Sequence, residues 1–197
     1  MLDLITIIIP SKDRSRSLQA AIHQWQPHAR TLIVADGSER PFAGLATRFD
    51  NVQYFQDVRG LEVRLAVAAG LVRTPYAMLQ SDDDIFLPGA VSASIAFLEE
   101  NPDYVASTPL AVRHDRNGYR LPYPAALNWY NISDSLADRL KHLGAHYTPS
   151  SIYGVCRTDA LRASFQSMAR DPVPVYAFGE LHHEMVMNGL GKVRIDS

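Results

Sequence analysis

The sequence predicts an α/β protein, Rossmann-like, with a mostly parallel sheet between two layers of helices. Two observations predict it. Over the first hundred residues, short apolar runs rich in β-branched side chains alternate with segments of helical periodicity. Three of those runs end directly in polar clusters, "PSKDR", "DGSER" and "SDDD". In open α/β sheets, ligands sit beyond the carboxyl ends of the strands.

The elements follow in order. "LITIII", Leu4 to Ile9, is almost wholly apolar, as a strand buried on both faces should be, and Pro10 is expected to end it. Ser15 is expected to cap a helix from about Arg16 to Gln24. "TLIVA", Thr31 to Ala35, reads as a second buried strand and "NVQYF", Asn51 to Phe55, as a third. In "GLEVRLAVAAGLV" the residues Leu61, Leu65, Ala68 and Val72 recur at helical spacing, with Arg64 bordering that stripe. "PYAMLQ" is a strand. "PGAVSASIAFLEENP" is a helix with Pro88 near its start and Pro102 beyond its end. The second half is less regular. It offers a hairpin around Asn117-Gly118, a helix from Asp134 ended by Gly144, and a strand in "SSIYGVCR". A helix capped by Thr158 follows, then a helix over "FGELHHEMVMNGLG" and a last short strand. A soft boundary falls near Pro109, where the alternation stops, within a single domain spanning 1–197.

Composition narrows the class. A chain of 197 residues that is 47% hydrophobic can build one substantial core. Nineteen basic against 21 acidic residues, with no basic stripe, argue against a nucleic-acid partner. Cys156 is alone, so no internal disulfide forms and a reducing, cytoplasmic setting fits. The N-terminus lacks a basic region before its short apolar run and is not a signal peptide. No stretch approaches the roughly 18 apolar residues of a membrane span, which leaves peripheral contact with the inner membrane face open.

The sharpest local feature is the acidic turn. Asp82, Asp83 and Asp84 sit between "YAML" and "IFL". Adjacent carboxylates repel, and a cation would relieve that repulsion. Hard ions such as Mg²⁺ and Mn²⁺ take oxygen ligands, often one or two carboxylates plus substrate phosphates. The alternative is a solvated turn before a helix. The Walker loop, the Gly-rich dinucleotide loop, the nucleophile elbow and the H-E-x-x-H zinc motif are all absent.

The ordered set "TIIIPSKDR … LIVADGSERP … GLEVRLAVAAGLVRTPYAMLQSDDDIFLPGAV" resembles the nucleotide-sugar half of family 2-type glycosyltransferases with the GT-A fold. The resemblance covers residues 4 to 100 clearly and 150 to 197 loosely. It implies a GT-A-like fold, with residues 1–108 binding the nucleotide sugar. Residues 109–197 would form the acceptor side, truncated if the chain is a fragment. It implies inverting transfer of a sugar from a nucleoside diphosphate, a UDP-sugar first, to a carbohydrate or lipid-linked acceptor. A divalent metal, Mn²⁺ or Mg²⁺, is implied with it. By position, Asp36 matches the acid that bonds the base, and Arg64 the arginine that reaches base or diphosphate. Pro10, Ser11, Lys12 and Asp13 match the first loop. Aligned on "IFLP", Asp84 matches a metal ligand, with Asp82 or Asp83 sharing metal and ribose contacts. Glu180 in "FGELHHE" stands where the family places its base, with Leu181 where a second acid is usual, and Glu184 lies one turn on. His182 and His183 are candidate further ligands, and Tyr147, Tyr153 and Trp129 a candidate acceptor platform. Two rivals remain: a nucleotidyltransferase, and a nucleotide-sugar-binding module without turnover.

Overall fold

The computed structural model describes residues 1–42, 44, 48–110, 112–115, 118–120, 130–147, 151–170 and 176–195. In chain order its main elements begin with β1 (Ile5–Ser11), α1 (Ser15–Trp25), β2 (Thr31–Asp36), β3 (Val52–Gln56) and α2 (Leu61–Leu71). Then come β4 (Tyr76–Leu79), α3 (Pro88–Glu100), β5 (Tyr104–Thr108), β6 (Arg113–Asp115), β7 (Gly118–Arg120) and β8 (Tyr130–Asn131). Last are α4 (Leu136–Ala145), β9 (Val155–Arg157), α5 (Thr158–Arg170), α6 (Tyr176–Leu190) and β10 (Lys192–Ile195).

Among the described residues the main sheet has eight strands in the order β3-β2-β1-β4-β9-β5-β10-β8, and β6 and β7 pair apart from it. β3, β2, β1 and β4 are mutually parallel, β10 is parallel to β5, and β9 and β8 run antiparallel to their neighbours. The expected return of the "SSIYGVCR" strand is therefore an antiparallel insertion between β4 and β5. The expected hairpin is present, with Asp115 opposite Gly118, and its connection lies outside the described residues.

Strand alternation divides the core in two. Ile5, Ile7 and Ile9 of β1 face one layer, where Leu18, Ala21, Ile22 and Trp25 of α1 and Val91, Ile95 and Leu98 of α3 cover them. Ile8 faces the other, with Leu65 and Ala68 of α2, Val72 just beyond it, Leu161 and Phe165 of α5, and Met187 of α6. The four isoleucines of β1 have no exposed surface. Each contributes roughly 1.5–3 kcal/mol by burial, which makes β1 a firm base for the loop that follows it.

Several boundaries differ from expectation for physical reasons. β1 runs on through Pro10 to Ser11, opposite Ala35 and Asp36 of β2. Pro10's missing N–H falls on the β4 side, where pairing has already ended at Ile8–Leu79. Ser15 is the first residue of α1, and Arg14 precedes it without a side-chain cap. Thr158 Oγ1 donates to Thr74 O rather than capping α5. Gly144 lies inside α4, which ends at Ala145 and is capped by Ser135. α6 opens at Tyr176, so Glu180 stands in its second turn and not at its start.

Candidate active site at the carboxyl rim of the sheet

β1, β2 and β4 are parallel neighbours, so the loops after Ser11, Asp36 and Leu79 leave the sheet on one rim. The three polar clusters converge there and are bonded to one another. Ser11 Oγ donates to Asp82 Oδ2 at 2.6 Å. Arg14 Nη1 donates to Asp82 Oδ1 at 3.1 Å and to Asp83 Oδ2 at 2.7 Å. The Asp13 amide donates to Ser38 Oγ at 2.8 Å, and Asp13 itself takes φ 57°, a left-handed conformation that Asp tolerates better than most residues. Ser11, Asp13, Arg14, Asp36, Ser38 and Phe42 help line a cavity of about 310 Å³ between the first two loops.

Asp36 is 1% exposed, and its carboxylate is filled. Oδ1 accepts from Ser38 N at 2.9 Å and Ser38 Oγ at 2.5 Å. Oδ2 accepts from Tyr54 Oη at 2.6 Å and Phe42 N at 3.2 Å. A carboxylate offers about four acceptor positions, and these donors take them. Burial pushes the Asp36 carboxyl up, but the bonds from Ser38, Tyr54 and Phe42 outweigh it and hold it below its usual range. Tyr54 moves the other way, pushed up to about 12 by burial and by its bond to Asp36. Asp36 thus knits the second loop to β3.

Arg64 is also turned inward. It is 5% exposed, and its Nη1 donates to Ser11 O at 2.9 Å and Ala35 O at 2.8 Å, tying the ends of β1 and β2 together. Burial lowers its pKa, against the opposing pull of Asp36, Asp57 and Glu62. Gly37 makes room for it, since a Cβ there would lie 2.5 Å from Arg64 Cζ.

The acidic turn holds three carboxylates in three conditions. Asp82 is buried and bonded to Ser11 and Arg14. Asp83 is exposed, bonded to Ser81 Oγ and Arg14, and its pKa is lowered by Ser81 first and then by Arg14, against partial desolvation. Asp84 is solvent-accessible yet packed closely enough that desolvation, then Asp83 and Asp82, raise its pKa. Among the described residues its carboxylate has no hydrogen-bonding or cationic partner. Gln80 fixes the turn from beneath: it is fully buried, donates to Asp84 O at 3.1 Å, and accepts from Trp25 Nε1. Among the described residues no three His, Cys, Asp or Glu side chains are placed to hold a metal by themselves. The donors present are all oxygen and incomplete, which suits a hard ion that completes its shell with phosphate oxygens and water.

The late residues divide. Glu184 has no exposed surface; it accepts Ser151 N at 2.7 Å, Ile152 N at 3.3 Å and Ser151 Oγ at 2.8 Å. This corrects its candidacy as a base, because an acceptor hydroxyl cannot reach it. Glu180, one turn earlier on the same side, is half-buried, with Tyr153 Oη 3.4 Å from its Oε1. His183 is wholly buried with Nδ1 2.9 Å from Ser164 Oγ, and His182 Nε2 lies 3.0 Å from Ser167 Oγ. Both histidines therefore serve the α5–α6 contact and not the acidic turn. Tyr147 is exposed, Tyr153 packs against the core, and Trp129 lies outside the described residues.

Sequence reasoning missed Arg14, Ser38, Tyr54 and Gln80. Arg14 left a signal, as a basic residue in the first loop of an acidic site. The other three depend on which strands become neighbours.

This sheet order, with a strand-end acidic turn beside a loop-lined cavity, defines a GT-A-like fold. The match to the family model described as glycosyl transferase family 2 spans residues 6–162, and the chain belongs to that family. No curated protein is a significant sequence match. Among solved structures, mannosyl-3-phosphoglycerate synthase from Rubrobacter xylanophilus is similar at 14% identity and TM-score 0.58, over 98% of this chain and 64% of that one. TarS 1-349 from S. aureus is similar at 15% identity and TM-score 0.61, over 97% and 56%. 4-Diphosphocytidyl-2C-methyl-D-erythritol synthase from Anaerococcus prevotii is similar at 10% and TM-score 0.57, over 98% and 86%. The chain thus spans less than two thirds of the first two. No described helix is long and apolar enough to cross a membrane.

Proposed function

We propose that this rim binds a nucleoside diphosphate sugar and that the domain transfers the sugar to an acceptor hydroxyl with inversion. The observation that carries the reading is Asp84: a carboxylate without a partner among the described residues, crowded by Asp82 and Asp83, on the turn that Asp82 ties to Ser11 and Arg14 of the cavity wall. Asp84 and Asp82 would hold a Mg²⁺ or Mn²⁺ ion, and Asp83 would face the ribose. When bound, the ion neutralises charge that builds on the leaving diphosphate. Ser11 orients Asp82. Arg64 holds the ends of β1 and β2 at fixed separation, and Pro10, Ser11 and Asp13 give the first loop its course past the nucleotide. Glu180, half-buried with Tyr153 Oη 3.4 Å from its Oε1, would take the acceptor's proton.

The test is a thermal-shift panel of nucleoside diphosphates and their sugars, with and without Mn²⁺. A ligand at 100 times its dissociation constant stabilises by about 2.7 kcal/mol. A metal-dependent shift with one nucleoside diphosphate sugar is expected; no shift with any member overturns the reading. A second reading, nucleotidyl transfer, draws on the likeness to the 4-diphosphocytidyl-2C-methyl-D-erythritol synthase and to a CMP:2-keto-3-deoxy-manno-octonic acid synthetase. Release of pyrophosphate from a nucleoside triphosphate and a sugar phosphate would favour it. The first loop, which has arginines but no glycine, favours the diphosphate sugar.

A further inference from the structure

Arg14 sits on the acidic turn, bonded to two of its three carboxylates. Its Nη1 lies 3.1 Å from Asp82 Oδ1 and 2.7 Å from Asp83 Oδ2, while Ser11 Oγ takes the other Asp82 oxygen at 2.6 Å. Both Asp82 oxygens are therefore engaged. A divalent ion on Asp82 would share Oδ1 with a guanidinium, and two cations a few ångströms apart repel strongly. An ion on Asp82 and the Arg14 guanidinium therefore disfavour each other by charge repulsion. The pair is also weak enough to open, because the Arg14 side chain is 54% exposed. Ion pairs of that exposure are worth at most a factor of about five in equilibrium.

The displaced side chain has a place to go. Arg14 lines the 310 Å³ cavity beside the turn, together with Ser11, Asp13, Ser38 and Arg40. Of the two carboxylates in that wall, Asp13 and Asp36, Asp36 is filled by four donors. A guanidinium released there can fork onto phosphate oxygens.

We propose that Arg14 is a displaceable counter-ion: it occupies the acidic turn without metal, and on metal entry it transfers to the diphosphate. Arg14 is then a positioning residue that makes metal and diphosphate bind cooperatively, and the coupling is reciprocal between the two ligands. The inference rests on the reading of the turn as metal-binding, and the experiment separates the two.

Mn²⁺ affinity is measured by electron paramagnetic resonance on the full chain, without nucleotide. Uridine diphosphate affinity is measured by calorimetry in chelator and in saturating Mn²⁺. Relative to wild type, Arg14→Gln is expected to bind Mn²⁺ about 2- to 5-fold tighter. It should bind uridine diphosphate equally in chelator and about 5- to 10-fold more weakly in Mn²⁺. A merely structural role would shift all three affinities in one direction. Arg14→Met, which keeps the aliphatic stem, should show the same pattern and serves if the glutamine variant does not fold. Unchanged or weaker Mn²⁺ binding in both variants overturns the counter-ion role while the metal site stands, provided Asp84→Asn abolishes the binding. No Mn²⁺ binding by wild type overturns both.

Discussion

Glu184 gives the most quantitative check on the structure. Its carboxylate, with no exposed surface, receives two backbone N–H groups and one hydroxyl from the turn at Ser151–Tyr153. Glu184→Ala removes the acceptor from all three. Ser151 is itself fully buried, and water cannot easily replace the lost partner. Each buried donor left unmade costs about 1–3 kcal/mol, and the serine hydroxyl can rotate to seek another acceptor. The two amides alone give roughly 2–6 kcal/mol, a large share of a total stability of about 5–15. Glu184→Gln is different. Its amide oxygen can keep both backbone N–H groups at the Oε1 position, and its NH₂ can donate to the Ser151 hydroxyl. Only the charge assistance is lost, about 1–2 kcal/mol. Urea unfolding reads the difference as a midpoint shift at constant slope. The expected order is wild type above Gln, with Ala lowest by at least 1 kcal/mol. If Ala and Gln unfold at the same urea concentration, the carboxylate does not anchor this turn and Glu184 returns as a candidate base.

Three further outcomes are expected. Gly37→Ala should push the Arg64 guanidinium off Ser11 O and Ala35 O, lowering stability by about 1–3 kcal/mol, and Gly37→Ala with Arg64→Ala should recover part of it in a double-mutant cycle by thermal melting. His183, buried neutral with its pKa pushed down to about 4, protonates more readily in the unfolded chain. Its contribution is therefore complete above pH 6.5 and is lost as pH falls toward 4, about 2 kcal/mol by pH 5. His183→Gln should flatten that part of the stability profile relative to wild type, and parallel profiles would show that His183 is not the group titrating. Glu180→Gln should lower turnover by about 10²–10⁴-fold with nucleotide-sugar affinity unchanged, measured once an acceptor is known; wild-type turnover would move the base elsewhere.

Much of the fold was legible because it is local. Runs such as Ile5–Ile9 and Leu32–Ala35 are apolar on both faces, and only a covered parallel sheet accommodates them. The acidic turn was legible because three adjacent carboxylates need a reason. What escaped is long-range or depends on close packing. The expected helix start at Phe178 is two residues late, because α6 opens at Tyr176. Gly179 lies inside it, where a Cβ would come within 3.3 Å of Met168 Cε on α5. The earlier start moves Glu180 into the second turn. The spacing of Glu180 and Glu184 gave their common side correctly. Only the packing of the Ser151–Tyr153 turn against it decides that one is buried and the other half-accessible. Asp36 likewise looked free in sequence, because its partner Tyr54 comes from β3, two residues out of register across the ladder.

The antiparallel insertion of β9 also has a temporal meaning. β4 and β5 are synthesised within the first 108 residues, but the strand that joins them, pairing Cys156 with Ala77 on one side and Ala106 on the other, arrives almost fifty residues later. Until the ribosome delivers Val155–Arg157, both strands present an open edge of unpaired N–H and C=O groups in the middle of the future sheet. Open apolar edges of that kind invite pairing with other chains. The nascent N-terminal half is therefore the stage at which this protein most needs shielding. A fragment ending before Val155 would carry the whole nucleotide rim and still aggregate.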